Sequence, residues 1–164
     1  MSAVTPEWAN FLSAEIGASA TLTGFVVVAT SINLTRILGH AHLPARAAEA
    51  LFMLLASLVL LSLWLIPNQN DMCLGIEALA VALSGVLVAC FIHIRTRKGL
   101  AHLTPTQQVL RIAMDYGACV IFVASGLLLL KGNDSGLTWG AAGAIYSLVA
   151  GMLNTWVLLI EIMR

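Results

Sequence analysis

Two carboxylates, Glu15 and Glu77, lie a few residues inside long apolar segments, each near the start of its segment. A charge at such a position is expensive unless it is paired, neutralised or in contact with water. Two carboxylates at one depth could share a proton or bind a cation together. Alternatively, each could reach back to the membrane surface or accept a hydrogen bond from a neighbouring hydroxyl group. Both interpretations remain open.

A second set of acids, Glu49, Asp115 and Glu161, lies toward the opposite ends of the apolar segments. Arg46 precedes Glu49 by three residues and Arg111 precedes Asp115 by four. Residues at these spacings meet on one face of a helix, so we predict local neutralisation of both acids. Glu161 has no such neighbour in its own segment and must contact another helix or water.

Asn33 and Asn154 lie in the inner halves of the first and last apolar segments. We expect these amides to bridge helices by hydrogen bonds, with ligand binding as the alternative. Together with the acids they make up a candidate polar path for an ion or a proton. The members of this path are Glu15, Glu77, Asn33, Asn154, Glu161, Asp115 and Glu49.

The histidines, His40, His42, His93 and His102, all fall on one predicted side of the membrane. Neutral imidazole is a common metal ligand, and its protonation changes near neutral pH. However, His40 and His42 are separated by one residue in a turn, and no carboxylate–histidine zinc motif accompanies them. We therefore predict no metal site and no cofactor, and keep the histidines as weak candidates.

No known catalytic motif is present. The cysteines form no C-x-x-C pair, and there is no glycine-rich phosphate loop or Ser, His and Asp arrangement typical of hydrolases. Nor is there a basic patch large enough for nucleic acid. The sequence is thus more typical of a protein that is not an enzyme.

The composition places these residues in a membrane. Hydrophobic side chains make up 60% of the chain and charged ones 10%, whereas about a quarter of residues are charged in soluble domains. A helix needs about 20 apolar residues to cross a bilayer, and lipid favours helices because it offers the backbone no hydrogen bonds. We predict an all-α transmembrane domain over residues 1–164. Its five helices cover about 11–34, 47–66, 72–94, 109–130 and 137–163.

The cations indicate the orientation. Seven of the eight Lys and Arg residues flank every second gap between the apolar segments or follow the last segment. Because cytoplasmic flanks are enriched in cations, we expect a multi-pass cell-membrane protein with its N-terminus outside and its C-terminus inside. Trp8, Trp64 and Trp139 fall at the predicted outer boundary, where indole rings are favoured. The inner cations are Arg36, Arg46, Arg95, Arg97, Lys98, Arg111 and Arg164.

The two predicted cytoplasmic turns resemble each other. Residues 35–44 and 96–105 share Thr, Arg, Gly, Ala, His, Leu and Pro if one gap is allowed on each side. This similarity favours a duplicated helical hairpin, with repeats at about 11–66 and 72–130 and an additional helix at about 137–163. Ordinary helix stop and start signals account for the Gly and Pro, so convergence is the alternative.

Small residues recur at helical spacing on several segments. Such stripes let helix backbones approach closely in lipid, so we predict helix interfaces there. The sequence leaves open whether these interfaces lie within one chain or between copies. The predicted packing positions are Gly17, Thr21, Gly24, Gly85, Gly143, Ser147 and Gly151.

These features favour a small homo-oligomeric membrane protein that acts as a channel or carrier for a small cation or solute. Its path would run from Glu15 and Glu77 at the outer mouth to Asn33, Asn154 and Glu161 inside. One alternative is a non-catalytic accessory or regulatory subunit of a larger membrane complex. A lipid-modifying enzyme is the third. The expected partners are membrane lipids and either further copies or that larger complex.

Overall fold

The computed structural model describes residues 4–39, 43–96 and 105–163, without the side chains of residues 105–108, 110 and 161–163. This part of the chain is all-helical, with 90% helix and no strand. The helices are α1 (Pro6–Ile32), α2 (Leu34–Leu38), α3 (Leu43–Trp64), α4 (Asp71–Thr96), α5 (Pro105–Leu130) and α6 (Ser135–Met163). Except for α2, all are long and apolar enough to cross a membrane, which confirms the prediction of five candidate spans.

The turn between α5 and α6 shows how short connections make neighbouring helices antiparallel. Gly132 has a φ of 68°, a left-handed conformation that glycine adopts without steric cost. Its N–H donates to Leu129 O and the N–H of Asn133 to Leu128 O, which ends α5. The Asn133 side chain then accepts a hydrogen bond from the Ser135 N–H at 3.0 Å, at the first residue of α6.

Helices α3, α4, α5 and α6 form an antiparallel four-helix bundle, in which α3 contacts both α4 and α6 and closes the ring. Helix α1 lies outside this ring, packed mainly on α3 and less on α6. Trp64 is fully buried in the bundle, where its indole N–H donates to Leu74 O at 3.2 Å. Trp64 ends α3, but its ring is packed inside the bundle, whereas the sequence predicts a ring exposed between water and acyl chains. Its ring lies over Gly140, which leaves space for it because it has no Cβ.

Small residues on α4, α5 and α6 lie at close helix contacts. A Cβ added at Gly85 would lie 2.7 Å from Cys119 Sγ, and one at Gly143 would lie 2.6 Å from the Phe122 ring. At Gly151 the added atom would be 3.0 Å from Leu54. Ser147, on the same face of α6, is also buried. These positions thus bring the bundle helices close together within one chain.

The predicted small-residue face of α1 behaves differently. No described atom lies within 4 Å of a Cβ added at Gly17 or Gly24. The buried side of α1 carries Leu12, Ser19 and Val26. At about 100° per residue, Ser19 and Gly17 point in nearly opposite directions. The face containing Gly17, Thr21 and Gly24 therefore points away from the bundle; Thr21 donates its hydroxyl to Gly17 O of the same helix.

This difference gives a matched stability test. A Cβ at Gly126 would lie 2.8 Å from Gly75 O and 2.7 Å from Leu79. We expect Gly126→Ala to lower the free energy of unfolding by about 1–3 kcal/mol, because α4 and α5 must separate. Gly24→Ala should keep or raise stability, since alanine favours helix and the space is open. Reversible unfolding in detergent measures both, and equal effects would contradict the described packing.

Candidate functional site

Four ionisable side chains from three helices of the bundle come together. Glu49 lies on α3, His93 on α4, and Arg111 and Asp115 on α5. Glu49, Arg111 and Asp115 are 4%, 8% and 5% exposed, and His93 is partly buried. Glu49 and Asp115 lie about 9 and about 15 Å from the first residues of their helices at 1.5 Å per residue. We call these four residues the charge cluster.

The shortest contact in the charge cluster joins α5 to α3. Arg111 Nη2 donates to Glu49 Oε1 at 2.8 Å and to Glu49 Oε2 at 2.9 Å. Sequence spacing predicted Arg46 as the neutralising residue for Glu49. The structure adds this partner from another helix, 62 residues away in sequence. Because ion pairs strengthen where water is excluded, the pair links α3 and α5 inside the bundle.

Asp115 is paired much less closely. Its Oδ2 lies 3.6 Å from Arg111 Nε, the neighbour that the four-residue spacing predicted, and 3.7 Å from His93 Nε2. Both distances exceed the usual range for a hydrogen bond. Neither carboxylate oxygen has a described hydrogen-bond partner within 3.5 Å, although the side chain is only 2% exposed and the Asn154 amide lies nearby. A buried acceptor without a donor is costly, so these oxygens are available to a ligand.

The orientation of His93 determines which nitrogen faces Asp115. Its Nδ1 lies 2.9 Å from Ala89 O. A backbone carbonyl oxygen can only accept, so Nδ1 must carry the hydrogen in this contact. In neutral His93 the lone pair is then on Nε2, which faces the Asp115 carboxylate. His93 Nε2 and Asp115 Oδ2 are then both hydrogen-bond acceptors. They face each other across 3.7 Å unless a proton or another cation lies between them.

The charge of the cluster depends on where its protons lie. With both acids ionised and His93 neutral, the acids contribute −2 and Arg111 contributes +1, so the four side chains together carry −1. An uncompensated charge at this depth is expensive in a membrane. A proton on His93 or Asp115, or a bound cation, would offset it.

A cavity of about 30 Å³ extends from the charge cluster into the centre of the bundle. This space is enough for about two water molecules or one partly hydrated ion. Apolar side chains surround most of it, and its polar lining includes the buried Ser147 hydroxyl, to which no described residue is hydrogen-bonded. The lining residues used below are Glu49, Met53, Val81, Gly85, Val88, Asp115, Cys119 and Ser147.

Of the two amides in the predicted polar path, Asn154 lies next to Asp115, whereas Asn33 lies at the end of α1. Asn154 Nδ2 contacts Met53 Sδ at 3.6 Å and thus links α6 to α3. Asn33 Nδ2 donates to Ala29 O at 2.9 Å, within its own helix, so this described hydrogen bond is not the helix bridge that we predicted. An amide one turn after a carbonyl reaches it readily where a helix ends, and α1 ends next to Asn33.

The two outer acids lie on separate helices, α1 and α4, and no described hydrogen bond joins them. Gln69 donates to Glu77 Oε1 at 2.7 Å, whereas Glu77 Oε2 has no described hydrogen-bond partner. Glu15 is on α1, outside the ring that surrounds the cavity, and its Oε2 also lacks a described partner. The structure therefore does not bring these acids together as one carboxylate pair.

Four sequence candidates cannot be placed. The side chain of Glu161 and the residues His40, His42 and His102 lie outside the part of the chain that the structure describes. Of the four histidines, His93 is described, and it belongs to the charge cluster.

Sequence reasoning paired Arg111 with Asp115 but missed that Glu49 and His93 join them. Arg111 was also interpreted as a flanking cation, but it lies six residues into α5 and is 8% exposed. The available signal was that ionisable residues occur at one predicted depth on three neighbouring segments. Helix order alone does not say which faces meet, so this signal could not identify the partners.

No protein-family model matches this chain, and no curated protein or solved structure shows significant similarity to it.

The contact between Glu49 and Arg111 can be tested by substitution. Arg111→Met should lower the free energy of unfolding by about 3–5 kcal/mol, because Glu49 would remain buried without its cation. Adding Glu49→Gln to this variant should recover most of the loss, since the remaining side chain is uncharged. Arg95→Met removes an exposed cation from the end of α4 and should change stability by less than about 0.5 kcal/mol. Additive effects of the two cluster substitutions would contradict the pairing.

Proposed function

We propose that this protein is a small-cation carrier of the cell membrane, with the charge cluster as its binding site. The observation that carries the proposal is the buried Asp115 carboxylate, which accepts no described hydrogen bond and adjoins a cavity inside the helix bundle. Ionisable groups at membrane depth are expensive and typically mark ion or proton pathways. A cation that enters the cluster would contact the Asp115 oxygens and offset the negative charge of the ionised acid.

The residues of α4 that line the cavity support a route through the bundle. Val81, Gly85 and Val88 line the cavity at helical spacing. Glu77 lies one turn before Val81, toward the opposite end of α4 from His93. Along this helix, therefore, a carboxylate lies near one membrane face, the cavity lies in the middle and the charge cluster lies near the other face. Glu15 lies off this route because α1 is outside the ring.

The small size of the cavity favours a carrier over an open channel. Space for about two water molecules suits a single bound ion. Alternating exposure of that site to the two sides would require helix movement. Gly85 provides a close contact on α4 where its backbone approaches Cys119 of α5.

A transport assay tests this proposal. We expect purified protein in sealed liposomes to give a current or a flux after a concentration jump of at least one of H⁺, Na⁺, K⁺ and Zn²⁺. Asp115→Asn should reduce this signal to that of protein-free liposomes, because the amide supplies no negative charge to the cluster. Solid-supported membrane recordings with each ion in turn provide the measurement.

Glu15→Gln is the matched control, since it removes a buried carboxylate oxygen from α1 without touching the cavity. Its transport should equal that of the wild type. The carrier proposal fails if folded wild-type protein moves none of these ions, or if Asp115→Asn transports as well as the wild type.

The second candidate function is that of an accessory subunit or a homo-oligomer in which α1 contacts another protein. The open positions at Gly17 and Gly24 favour it, because small residues facing lipid allow a second helix to approach closely. This function is compatible with the first if the partner is a second copy of the chain.

We also propose that the N-terminus is outside the cell membrane, the C-terminus is inside, and the hairpins arose by duplication. The orientation rests on cations at the inner ends of the helices. Arg111 lies within the bundle and is no longer counted as a flanking cation. Six of the seven inner cations remain, so the predicted inner side still carries more cations than the outer side. The duplication rests on the similar turns. The alignment of these turns also pairs Gly24 with Gly85, but the two glycines differ in environment: Gly24 faces open space, whereas Gly85 is packed against another helix.

Native cysteines can test the orientation. Cys73 is exposed near the start of α4, at the proposed outer end. Cys90 is exposed within the apolar part of the same helix, where an impermeant reagent does not reach it, and Cys119 is buried. A membrane-impermeant maleimide should label Cys73 in sealed right-side-out vesicles, and Cys73→Ser should abolish this labelling. Protection in these vesicles, with labelling only after permeabilisation, would contradict the proposed orientation.

A further inference from the structure

We propose that Glu49, His93 and Asp115 form a binding site for a divalent transition-metal ion of the Zn²⁺ type. The inference rests on the proposed function and specifies the cation that this site takes. One potential ligand atom from each of the three side chains lies within 4.8 Å of the others. The side chains come from α3, α4 and α5, so a bound ion would connect three helices of the bundle.

His93 is oriented as a metal ligand. In metal sites the second ring nitrogen of a histidine usually donates to a carbonyl or carboxylate, which directs the other lone pair at the ion. Here Nδ1 is 2.9 Å from Ala89 O, and Nε2 faces Asp115. The carbonyl belongs to the same helix, one turn earlier, so the backbone of α4 fixes the ring without a further side chain.

The spacing of the facing atoms fits an ion better than a shared hydrogen. His93 Nε2 and Asp115 Oδ2 are 3.7 Å apart, whereas an N–H···O hydrogen bond spans about 2.7–3.2 Å. Two donors that each lie about 2.1 Å from one tetrahedral Zn²⁺ are about 3.4 Å apart. A change of a few tenths of an ångström would therefore seat both donors on one ion.

The burial of Asp115 without a close hydrogen-bond donor is a second observation, independent of the grouping of the three side chains. Its side chain is 2% exposed, and neither carboxylate oxygen accepts a hydrogen bond from a described residue. Glu49, by contrast, accepts from Arg111 through both oxygens. A carboxylate has about four lone-pair positions, so Glu49 can keep Arg111 and still offer one to a metal. Arg111 would then hold a ligand carboxylate in place.

The donor types indicate the class of metal. Imidazole favours Zn²⁺ and its neighbours among the transition metals, whereas Ca²⁺ and Mg²⁺ prefer oxygen ligands alone. Met53 and Cys119 line the same cavity next to the carboxylates. Thioether and thiolate sulfur also select transition metals. A Zn²⁺-type ion leaving the three-residue site would thus meet further suitable donors in the cavity.

The metal site can be tested by binding, without transport. Purified full-length protein in detergent is titrated with Co²⁺, whose visible absorption reports its coordination, and then with competing Zn²⁺. We expect one tightly bound Co²⁺ per chain, displaced by Zn²⁺. Asp115→Asn and His93→Gln should each weaken binding by at least about tenfold. The matched control is Glu15→Gln on α1, outside the ring, which should bind like the wild type.

A conservative variant keeps the test informative if one of these proteins does not fold. His93→Cys replaces one metal ligand by another and should give a thiolate-to-cobalt charge-transfer band that the wild type lacks. A merely structural imidazole would give no such band. The metal assignment fails if folded wild type binds no Co²⁺, if the cluster variants bind like the wild type, or if His93→Cys binds Co²⁺ without that band.

This outcome is separate from that of the transport assay. Asp115-dependent movement of H⁺ or Na⁺ without Co²⁺ binding would overturn the metal assignment and support the carrier. Co²⁺ binding at the cluster without transport of any ion would support the metal site and overturn the carrier.

Discussion

Hydrocarbon does not solvate charge, and this constraint governs the arrangement of the bundle interior. Arg111 and Glu49 are buried on different helices, so each depends on the other for the interactions that water would supply. The pair holds α5 against α3 near one end of the bundle. Asp115 lies on the same face of α5 as Arg111, one turn further along, and does not have a comparably close partner among the described residues. The weak pairing of Asp115 follows from this geometry.

The close helix contacts complement this charge pairing. Gly75 and Gly126 bring the backbones of α4 and α5 together, and Gly140 admits the Trp64 ring between α3 and α6. In lipid these contacts replace the hydrophobic effect as the main source of helix association. The tight contacts also leave a limited space in the centre of the ring, and the charge cluster lies at one end of that space. Packing and polarity together therefore place a small cavity beside the charge cluster.

Helix α1 shows that similar small-residue patterns can have different roles. Gly143 and Gly151 contact Phe122 and Leu54 within the chain, whereas Gly17 and Gly24 face outward. Because both patterns have nearly the same spacing, the spacing alone does not tell whether the small residues are packed within the chain or face outward. The inner side of α1 is attached to α3 through contacts such as the one between Ser19 and Ser57, whose hydroxyl oxygens are 3.4 Å apart. Which face meets the bundle depends on the neighbouring helix.

The sequence by itself indicated a membrane environment, an all-helical fold and the number of apolar helices, because these follow from the length and composition of each segment. It also identified Glu49, Asp115 and His93 as residues to consider, since ionisable groups are conspicuous in apolar segments. Tertiary structure decided that Glu49 pairs with Arg111 from a distant segment, that His93 faces Asp115, and that the Trp64 ring is buried rather than exposed. Periodicity restricts which residues share a helix face, but the partner of that face depends on how helices rotate and pack against one another. Those rotations are determined by contacts among residues far apart in sequence, which no single segment contains.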